Sequence, residues 1–236
     1  MVNTENRNNL KWLDVLAIFC LAVLPDLANC LVLVGDSSVA ESTTFTQLLF
    51  LLLVRSVQVS VPILLIMRLR NVCWQNYGFV AFRPDKDFLI AIGLAVITYA
   101  VFYTIVLALY NFGINYENDP NSLPQPTSNG TVSLSTVTLI LAASVANGFA
   151  EELAMRSYLV TRVTELLGSA VVAVVVTSVL FALYHSYQGR YGVISALVAG
   201  LVFGTYFAQT KRFWPIMISH FLLDAYPLTL MAAGAE

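Results

Sequence analysis

Long apolar stretches separated by short polar ones dominate the pattern of residues along this chain. A membrane-spanning helix needs roughly 20 mostly apolar residues, and about seven stretches meet that requirement. They run approximately over residues 12–34, 46–67, 88–110, 133–167, 169–187, 193–209 and 213–230. The pattern therefore predicts an all-α, polytopic transmembrane helix bundle of about seven helices.

Basic residues fall on one side of this map, which gives the orientation because Lys and Arg accumulate in cytoplasmic loops. The residues on that side are Arg7, Lys11, Arg68, Arg70, Arg83, Lys86, Arg162, Lys211 and Arg212. The opposite loops hold only Arg190 as a basic residue, together with Asp36, Glu41, Glu117 and Asp119. We therefore expect a cytoplasmic N-terminus, an odd number of helices and a C-terminus outside.

The longest polar insert, residues 111–131, is rich in turn signals such as Asp119-Pro120, and we expect an external loop there. It contains the glycosylation sequon Asn129-Gly130-Thr131, a triplet that often arises by chance, and we give the chance match more weight.

Composition agrees with a membrane protein and excludes other classes. Of the 236 residues, 58% are hydrophobic and 11% are charged, and the mean hydropathy is +0.76, whereas a soluble domain has about 25% charged residues. The net charge is -2 with no basic cluster, so a nucleic-acid partner is not expected. The three cysteines have no metal-binding or disulfide spacing.

Ionisable residues inside the fourth stretch require an explanation, because a charge at the centre of a membrane helix costs about 2.5 to 3.5 kcal/mol. Glu151, Glu152 and Arg156 lie there among apolar neighbours. Glu152 and Arg156 are four residues apart and can pair on one helix face. Glu151 is rotated by about 100° from Glu152 and is free to face another group.

Both histidines of the chain also fall in predicted membrane helices. Phe181 and His185 are spaced i, i+4 in the fifth stretch, and His220 and Asp224 have the same spacing in the seventh. From the helical rise, Glu151 and His185 lie about 24 and 26 Å from the turn that joins their helices. His220 lies only about 10 Å into the last helix, so the fourth helix is expected to extend beyond it into the cytoplasm.

Two further charges lie within spans, Asp26 after Pro25 and Arg55. We interpret Pro25-Asp26 as a kink whose freed backbone groups face protein or water, and we expect Arg55 to pair with an acid across the bundle, Asp26 being the candidate.

Three motifs in order, EExxxR at Glu151, Glu152 and Arg156, FxxxH at Phe181 and His185, and HxxxD at His220 and Asp224, resemble a known family. This is the family of CAAX-processing and bacteriocin-processing proteases, also called the Abi family, which includes the Ras-converting enzyme. The similarity covers roughly residues 144–227, less than half of the chain. Asp224 departs from the pattern, because Asn is common at that position.

The resemblance implies an intramembrane endopeptidase of the glutamate type, with no metal and no other cofactor. Glu151 would be the general base that activates water, and His185 would help to position that water. Glu152 and Arg156 would hold the site in register, while His220 and Asp224 would stabilise the oxyanion or orient the group that does. Phe181 is expected to contact substrate.

With this resemblance, the chain is expected to form one membrane-embedded domain over residues 1–236. Residues 1–132 would supply three helices and the external loop, and residues 133–236 the catalytic helix core. The expected partners are membrane lipid and a peptide or protein substrate, and the expected location is a bacterial or archaeal cell membrane.

Two other functions use the same residues. Carboxylates and imidazoles are also ligands of divalent metals, although the HExxH signature of zinc proteases is absent. Carboxylate and histidine clusters also form ion pathways in transporters, although no internal repeat supports that interpretation. Bacteriocin immunity without catalysis is a further alternative that the resemblance itself leaves open.

Overall fold

The structure is a computed structural model that describes residues 4–35, 44–114 and 132–234, and no strand occurs in these ranges. The α-helices are α1 (Thr4–Ile18), α2 (Leu24–Gly35), α3 (Phe45–Leu69), α4 (Pro84–Asn111), α5 (Leu134–Glu152), α6 (Thr161–Leu167), α7 (Ala170–Leu183), α8 (Gly189–Thr210) and α9 (Phe213–Gly234). Two π-helical segments, Phe19–Val23 and Leu153–Val160, join α1 to α2 and α5 to α6. Two short 3-10 helices are Trp74–Tyr77 and Ser186–Gln188.

Six of the helical runs in the described ranges are long and apolar enough to cross a membrane. They are Asn8–Cys30, Phe45–Leu69, Pro84–Asn111, Leu134–Leu167, Ser186–Thr210 and Phe213–Ala233. Large apolar side chains such as Phe50, Leu89 and Leu107 are exposed on them. The predicted all-α, polytopic bundle is therefore confirmed, and the protein is an integral, multi-pass membrane protein.

The fifth predicted stretch, 169–187, differs from the structure at its end. The helix α7 stops at Leu183, and a helix of that length covers only about 21 Å, less than the roughly 30 Å of a bilayer core. The carbonyl of Tyr184 accepts a hydrogen bond from Cys30 Sγ in α2, at 2.6 Å. Because a partner on a distant helix satisfies this carbonyl, the chain can leave the helix here at little cost.

Close packing of α7 against α8 depends on two glycines. A Cβ on Gly200 would lie 2.8 Å from Ser178 Cβ, and one on Gly204 would lie 3.0 Å from Val174. Small residues four apart let two membrane helices approach closely. This contact fixes the short α7, and with it the turn that carries His185, against the rest of the bundle.

The connection between α3 and α4 aligns two other helices. Ser157 Oγ donates to the carbonyl of Tyr77 at 2.6 Å, and the backbone N–H of Phe213 donates to Gly78 at 3.0 Å. The first residue of α9 thus lies near the level of Ser157, while the long helix continues for ten residues to Leu167. The predicted fourth helix, which is formed by α5, the π segment and α6, extends past the start of α9, as expected. This offset brings His220 level with the two glutamates.

Several of the predicted cytoplasmic charges meet at one end of the bundle. Arg70 binds Asp14 at 2.7 Å, Lys11 binds Glu165 at 2.9 Å, and Arg212 binds Asp87 at 2.7 Å. Burial lowers the pKa of the neighbouring Lys211. Arg190 lies in the first turn of α8, not in a loop as predicted.

The predictions for residues 36, 41, 117 and 119, for most of the 111–131 loop and for the sequon at 129–131 lie outside the described residues.

Candidate active site

The two adjacent glutamates end α5, and the helix continues from them in π form through Leu153–Val160. All eight residues of the π segment are buried. Arg156 Nη1 donates to Glu152 Oε1 at 2.9 Å, which is the pairing that the spacing predicts. Sequence spacing predicts a regular α-helix here and gives no sign of the π segment, a feature that is common at functional sites.

His220 of α9 lies between the two glutamates. Its Nδ1 donates to Glu152 Oε1 at 2.6 Å, and its Nε2 lies 3.2 Å from Glu151 Oε2. The close approach of α9 to α5 depends on Gly148, because a Cβ there would meet the backbone nitrogen of Phe221 at 3.2 Å. The structure therefore brings together three of the predicted site residues, Glu151, Glu152 and His220.

Glu152 is the fixed member of the glutamate pair. Its side chain is fully buried, and its Oε1 accepts from both Arg156 and His220. The guanidinium of Arg156 lies over the ring of Phe181, 4.3 Å from its centroid. A carboxylate that orients an imidazole through Nδ1 leaves Nε2 as the nitrogen that can act on a substrate.

Phe181 itself is a buried packing partner of the site. Its ring centroid lies 4.6 Å from that of His185 and 6.0 Å from that of His220. These contacts, with the guanidinium of Arg156 over its face, pack the Phe181 ring against Arg156 and both histidines. Contact of Phe181 with substrate stays a prediction.

His185 lies in the turn after α7, outside the membrane helix in which the sequence placed it. Its Nδ1 lies 2.7 Å from the carbonyl oxygen of Phe181. Because a carbonyl can only accept, Nδ1 carries a proton, and the neutral ring has its lone pair on Nε2. His185 and Glu151 interact electrostatically, but no hydrogen bond joins them among the described residues.

Asp224 completes the group from the next turn of α9. Its Oδ1 lies 3.6 Å from His220 Nε2, and its Oδ2 accepts from Asn147 Nδ2 at 2.9 Å. The sequence predicted Asp224 but not Asn147. A signal was present, since Asn147 is a polar residue in an apolar helix, one turn before Glu151.

Arg55 pairs with Asp26, as the sequence predicted. Its Nε and Nη2 donate to the two carboxylate oxygens, each at 2.9 Å. Nη1 and Nη2 also donate to the carbonyls of Leu21 and Ala22, each at 3.0 Å. Pro25 has no N–H to donate to the carbonyl of Leu21. Arg55 donates to this carbonyl instead, so the freed backbone group faces protein, as expected.

A cavity of about 20 Å³ lies beside Glu151, room for about one water molecule. The polar residues that line it are Glu151, Asn147, Tyr184, Ser56 and the Asp26–Arg55 pair. His185 and His220 do not line it. The sequence did not predict that helices α2 and α3 contribute to this wall, because no local pattern reports a contact between distant helices.

Three polar atoms of the site have no hydrogen-bond partner among the described residues: Glu151 Oε2, Glu152 Oε2 and Arg156 Nη2. The 3.2 Å contact of Glu151 with His220 lacks the alignment of a hydrogen bond. Buried polar atoms are nearly always paired, so three unpaired atoms on charged side chains in one place are polar groups left open to a water or a substrate.

Metal-ligand geometry does not occur in the described ranges, where no group of three or more His, Cys, Asp or Glu side chains is arranged to hold an ion. Glu152 faces both Arg156 and His220, which lowers the cost of burying its charge.

Comparison with known proteins supports the resemblance. Residues 133–226 match the model of the Rce1-like family, described as type II CAAX prenyl endopeptidase Rce1-like. No curated protein and no solved structure gives a significant match. The matched segment contains Glu151, Glu152, Arg156, Phe181, His185, His220 and Asp224, so the similarity to the CAAX-processing proteases is confirmed over this part of the chain.

Proposed function

We propose that this chain is an intramembrane endopeptidase that hydrolyses a peptide bond with a water activated by Glu151, without a metal. The observation that carries the proposal is the carboxylate of Glu151, which faces a water-sized cavity while one oxygen lies 3.2 Å from His220 Nε2. The family match over residues 133–226 supports the reaction class. We also propose that residues 133–236 form the catalytic helix core.

The first step is proton transfer from water to Glu151. A positioned base of this kind contributes about 10² to 10⁴ in rate. The carbonyl of Phe181 holds the proton of His185 on Nδ1. The Nε2 lone pair can therefore accept a hydrogen bond from the remaining O–H of a water that enters between Glu151 and His185 with the substrate. The resulting hydroxide attacks the carbonyl carbon of the substrate and forms a tetrahedral intermediate.

The second step is stabilisation of the oxyanion by His220. With Nδ1 bonded to Glu152, a protonated Nε2 becomes the donor. The carboxylate of Asp224, 3.6 Å from Nε2, stays ionised after Glu151 has taken the water proton and favours the proton on Nε2. One oxyanion donor is worth about 10² to 10³ in rate. The intermediate then collapses, and Glu151 returns its proton to the departing amine, so the enzyme ends in its starting state.

The substrate class we propose is a prenylated tail of the Cys-aliphatic-aliphatic-X type, because this is the class named by the matching family model. Leader peptides and C-terminal sorting peptides are the alternatives. All three carry a cleavable bond close to an apolar segment or lipid, which a bundle with outward-facing apolar side chains can receive from the bilayer.

The test is cleavage of defined peptides by the purified protein in lipid vesicles. A farnesylated Cys-aliphatic-aliphatic-X peptide, its unfarnesylated form and a mixture of leader peptides would be analysed by mass spectrometry. We expect the wild type to cleave one of them and Glu151→Gln to leave it intact. Asp85→Asn is the matched control, because Asp85 is an exposed carboxylate at the start of α4.

Two outcomes would contradict the proposal. Cleavage lost with a chelator and restored by added divalent metal would replace the water-activating glutamate with a metal mechanism. No cleavage of any peptide by folded protein, combined with ion flux that Glu151→Gln changes, would favour the transporter alternative.

A further inference from the structure

Asn147 occupies a position that the predicted catalytic motifs do not include. It lies one turn before Glu151 in α5 and shares the wall of the same cavity. Its side-chain amide reaches across to α9 and donates to Asp224 Oδ2 at 2.9 Å. An amide from one catalytic helix thus holds a carboxylate from the other.

The contact matters because two carboxylates face one nitrogen. Glu151 lies 3.2 Å and Asp224 lies 3.6 Å from His220 Nε2. Asp224 follows His220 by four residues on the same helix, a spacing that by itself favours their pairing. The cross-helix bond from Asn147 ties one oxygen of Asp224 and leaves Glu151 as the nearer carboxylate.

We propose that Asn147 is a positioning residue of the site, whose amide holds Asp224 off His220 Nε2 so that this nitrogen faces Glu151 and the bound substrate. The inference rests on the proposed function, since it assigns Asn147 a part in that reaction.

An exchange of the two side chains tests this arrangement. Asn147→Asp places two carboxylates at the 2.9 Å contact, and Asn147→Ala leaves Asp224 without its donor. Loss of this hydrogen bond to a charged group, which positions a carboxylate beside His220, is expected to lower kcat by about 10- to 100-fold. We expect Asn147→Ala to fall in this range and Asn147→Asp to lose more.

The double variant Asn147→Asp with Asp224→Asn restores one amide and one carboxylate. We expect it to recover at least about tenfold in kcat over Asn147→Asp, because the donor and acceptor are present again in exchanged positions. Asn76→Asp is the matched control for the same chemical change at an exposed site. An exchanged pair that is no more active than Asn147→Asp would overturn the proposal.

A spectroscopic measurement tests the proposal without relying on activity, and it also shows whether a variant is folded. The chain contains two histidines, so labelling with ¹⁵N-histidine, after removal of any tag, gives signals from His185 and His220 alone. His185→Gln assigns them. We expect Asn147→Ala to shift the Nε2 signal of His220 and to leave its Nδ1 signal, which reports the bond to Glu152, unchanged.

The two failures can be told apart. If the wild type cleaves no peptide, or cleaves equally well after Glu151→Gln, the proposed function is wrong. If Glu151→Gln abolishes cleavage but Asn147→Ala changes neither kcat nor the His220 Nε2 signal, only the role of Asn147 is wrong.

Discussion

Two arginine–carboxylate pairs lie within the bundle and differ in how completely their polar atoms are paired. Arg55 donates from all three of its nitrogens, to Asp26 and to two backbone carbonyls. Arg156 and Glu152 share one hydrogen bond and keep one unpartnered atom each. Yet the first pair is about a quarter exposed, and the second is almost completely buried.

If both pairs served stability alone, we would expect the buried pair to be the more completely hydrogen-bonded one. A buried charge needs its partners more than an exposed one, because removing it from water costs several kcal/mol. In the buried pair, Glu152 Oε1 is shared by Arg156 and His220, and His220 in turn faces Glu151. Incomplete pairing therefore distinguishes the pair that is bonded to His220 from the pair beside Pro25, which lines the cavity next to Glu151.

The largest expected effect on stability comes from Arg156→Met. It leaves the carboxylate of Glu152 buried with His220 as its remaining partner, and breaking a buried pair costs about 3 to 5 kcal/mol. Thermal unfolding of the purified protein in detergent would show this loss. Arg55→Met is the comparison, with a smaller expected loss because its pair is partly exposed. Equal unfolding temperatures for wild type and Arg156→Met would refute the buried ion pair.

Within the Arg156–Glu152 pair, the largest expected effect on activity comes from Glu152→Gln. The neutral amide keeps the shape but no longer supports the charge on His220, so we expect kcat to fall at least about 100-fold. Glu165→Gln removes a carboxylate from a partly exposed ion pair at the end of the bundle and serves as the control. If Glu152→Gln and Glu165→Gln lost the same amount of activity, the effect of Glu152→Gln would be one on folding and the predicted role of Glu152 would be wrong.

A smaller effect is expected from Gly148→Ala, which displaces α9. The added Cβ meets the backbone of Phe221 at 3.2 Å and His220 Cβ at 3.4 Å. A shift of a few tenths of an ångström should reduce kcat by about tenfold, since a 1 Å misplacement can cost 10²-fold. Gly93→Ala is the matched control, because nothing lies within 4 Å of its Cβ position. Equal kcat in both variants would contradict the tight approach of α5 and α9.

The smallest effect on activity is expected from Asp26→Asn. Arg55 keeps its two carbonyl acceptors, so we expect the helix around Pro25 to persist with a lowered unfolding temperature. We expect kcat to change by less than about tenfold, or about 1.4 kcal/mol. A loss above about 100-fold in folded protein would place the Asp26–Arg55 pair within the catalytic machinery and remove the contrast between the two pairs.

The membrane helices could be predicted from the sequence because each depends on a local run of apolar residues. The start of α5, for example, is set by Ser133, whose side chain accepts from the N–H of Thr136. The pairings of Arg156 with Glu152 and of Arg55 with Asp26 were also accessible, since a charge in a membrane helix requires a partner.

The remaining features depend on contacts between distant parts of the chain. The end of α7 is fixed by Cys30, which bonds to Tyr184 from 154 positions away. The π segment after Glu152, the cavity wall from α2 and α3 and the bond from Asn147 to Asp224 likewise arise from packing, and no periodicity along the chain reports them.

The most direct test of the account is the single-turnover cleavage rate of Glu151→Gln, measured with substrate binding on the same protein. We predict that the variant binds the substrate with an affinity close to that of the wild type and that the cleavage step slows by about 10² to 10⁴, the contribution of a general base. A cleavage step within about threefold of the wild-type rate, at equal binding, would contradict the role of Glu151.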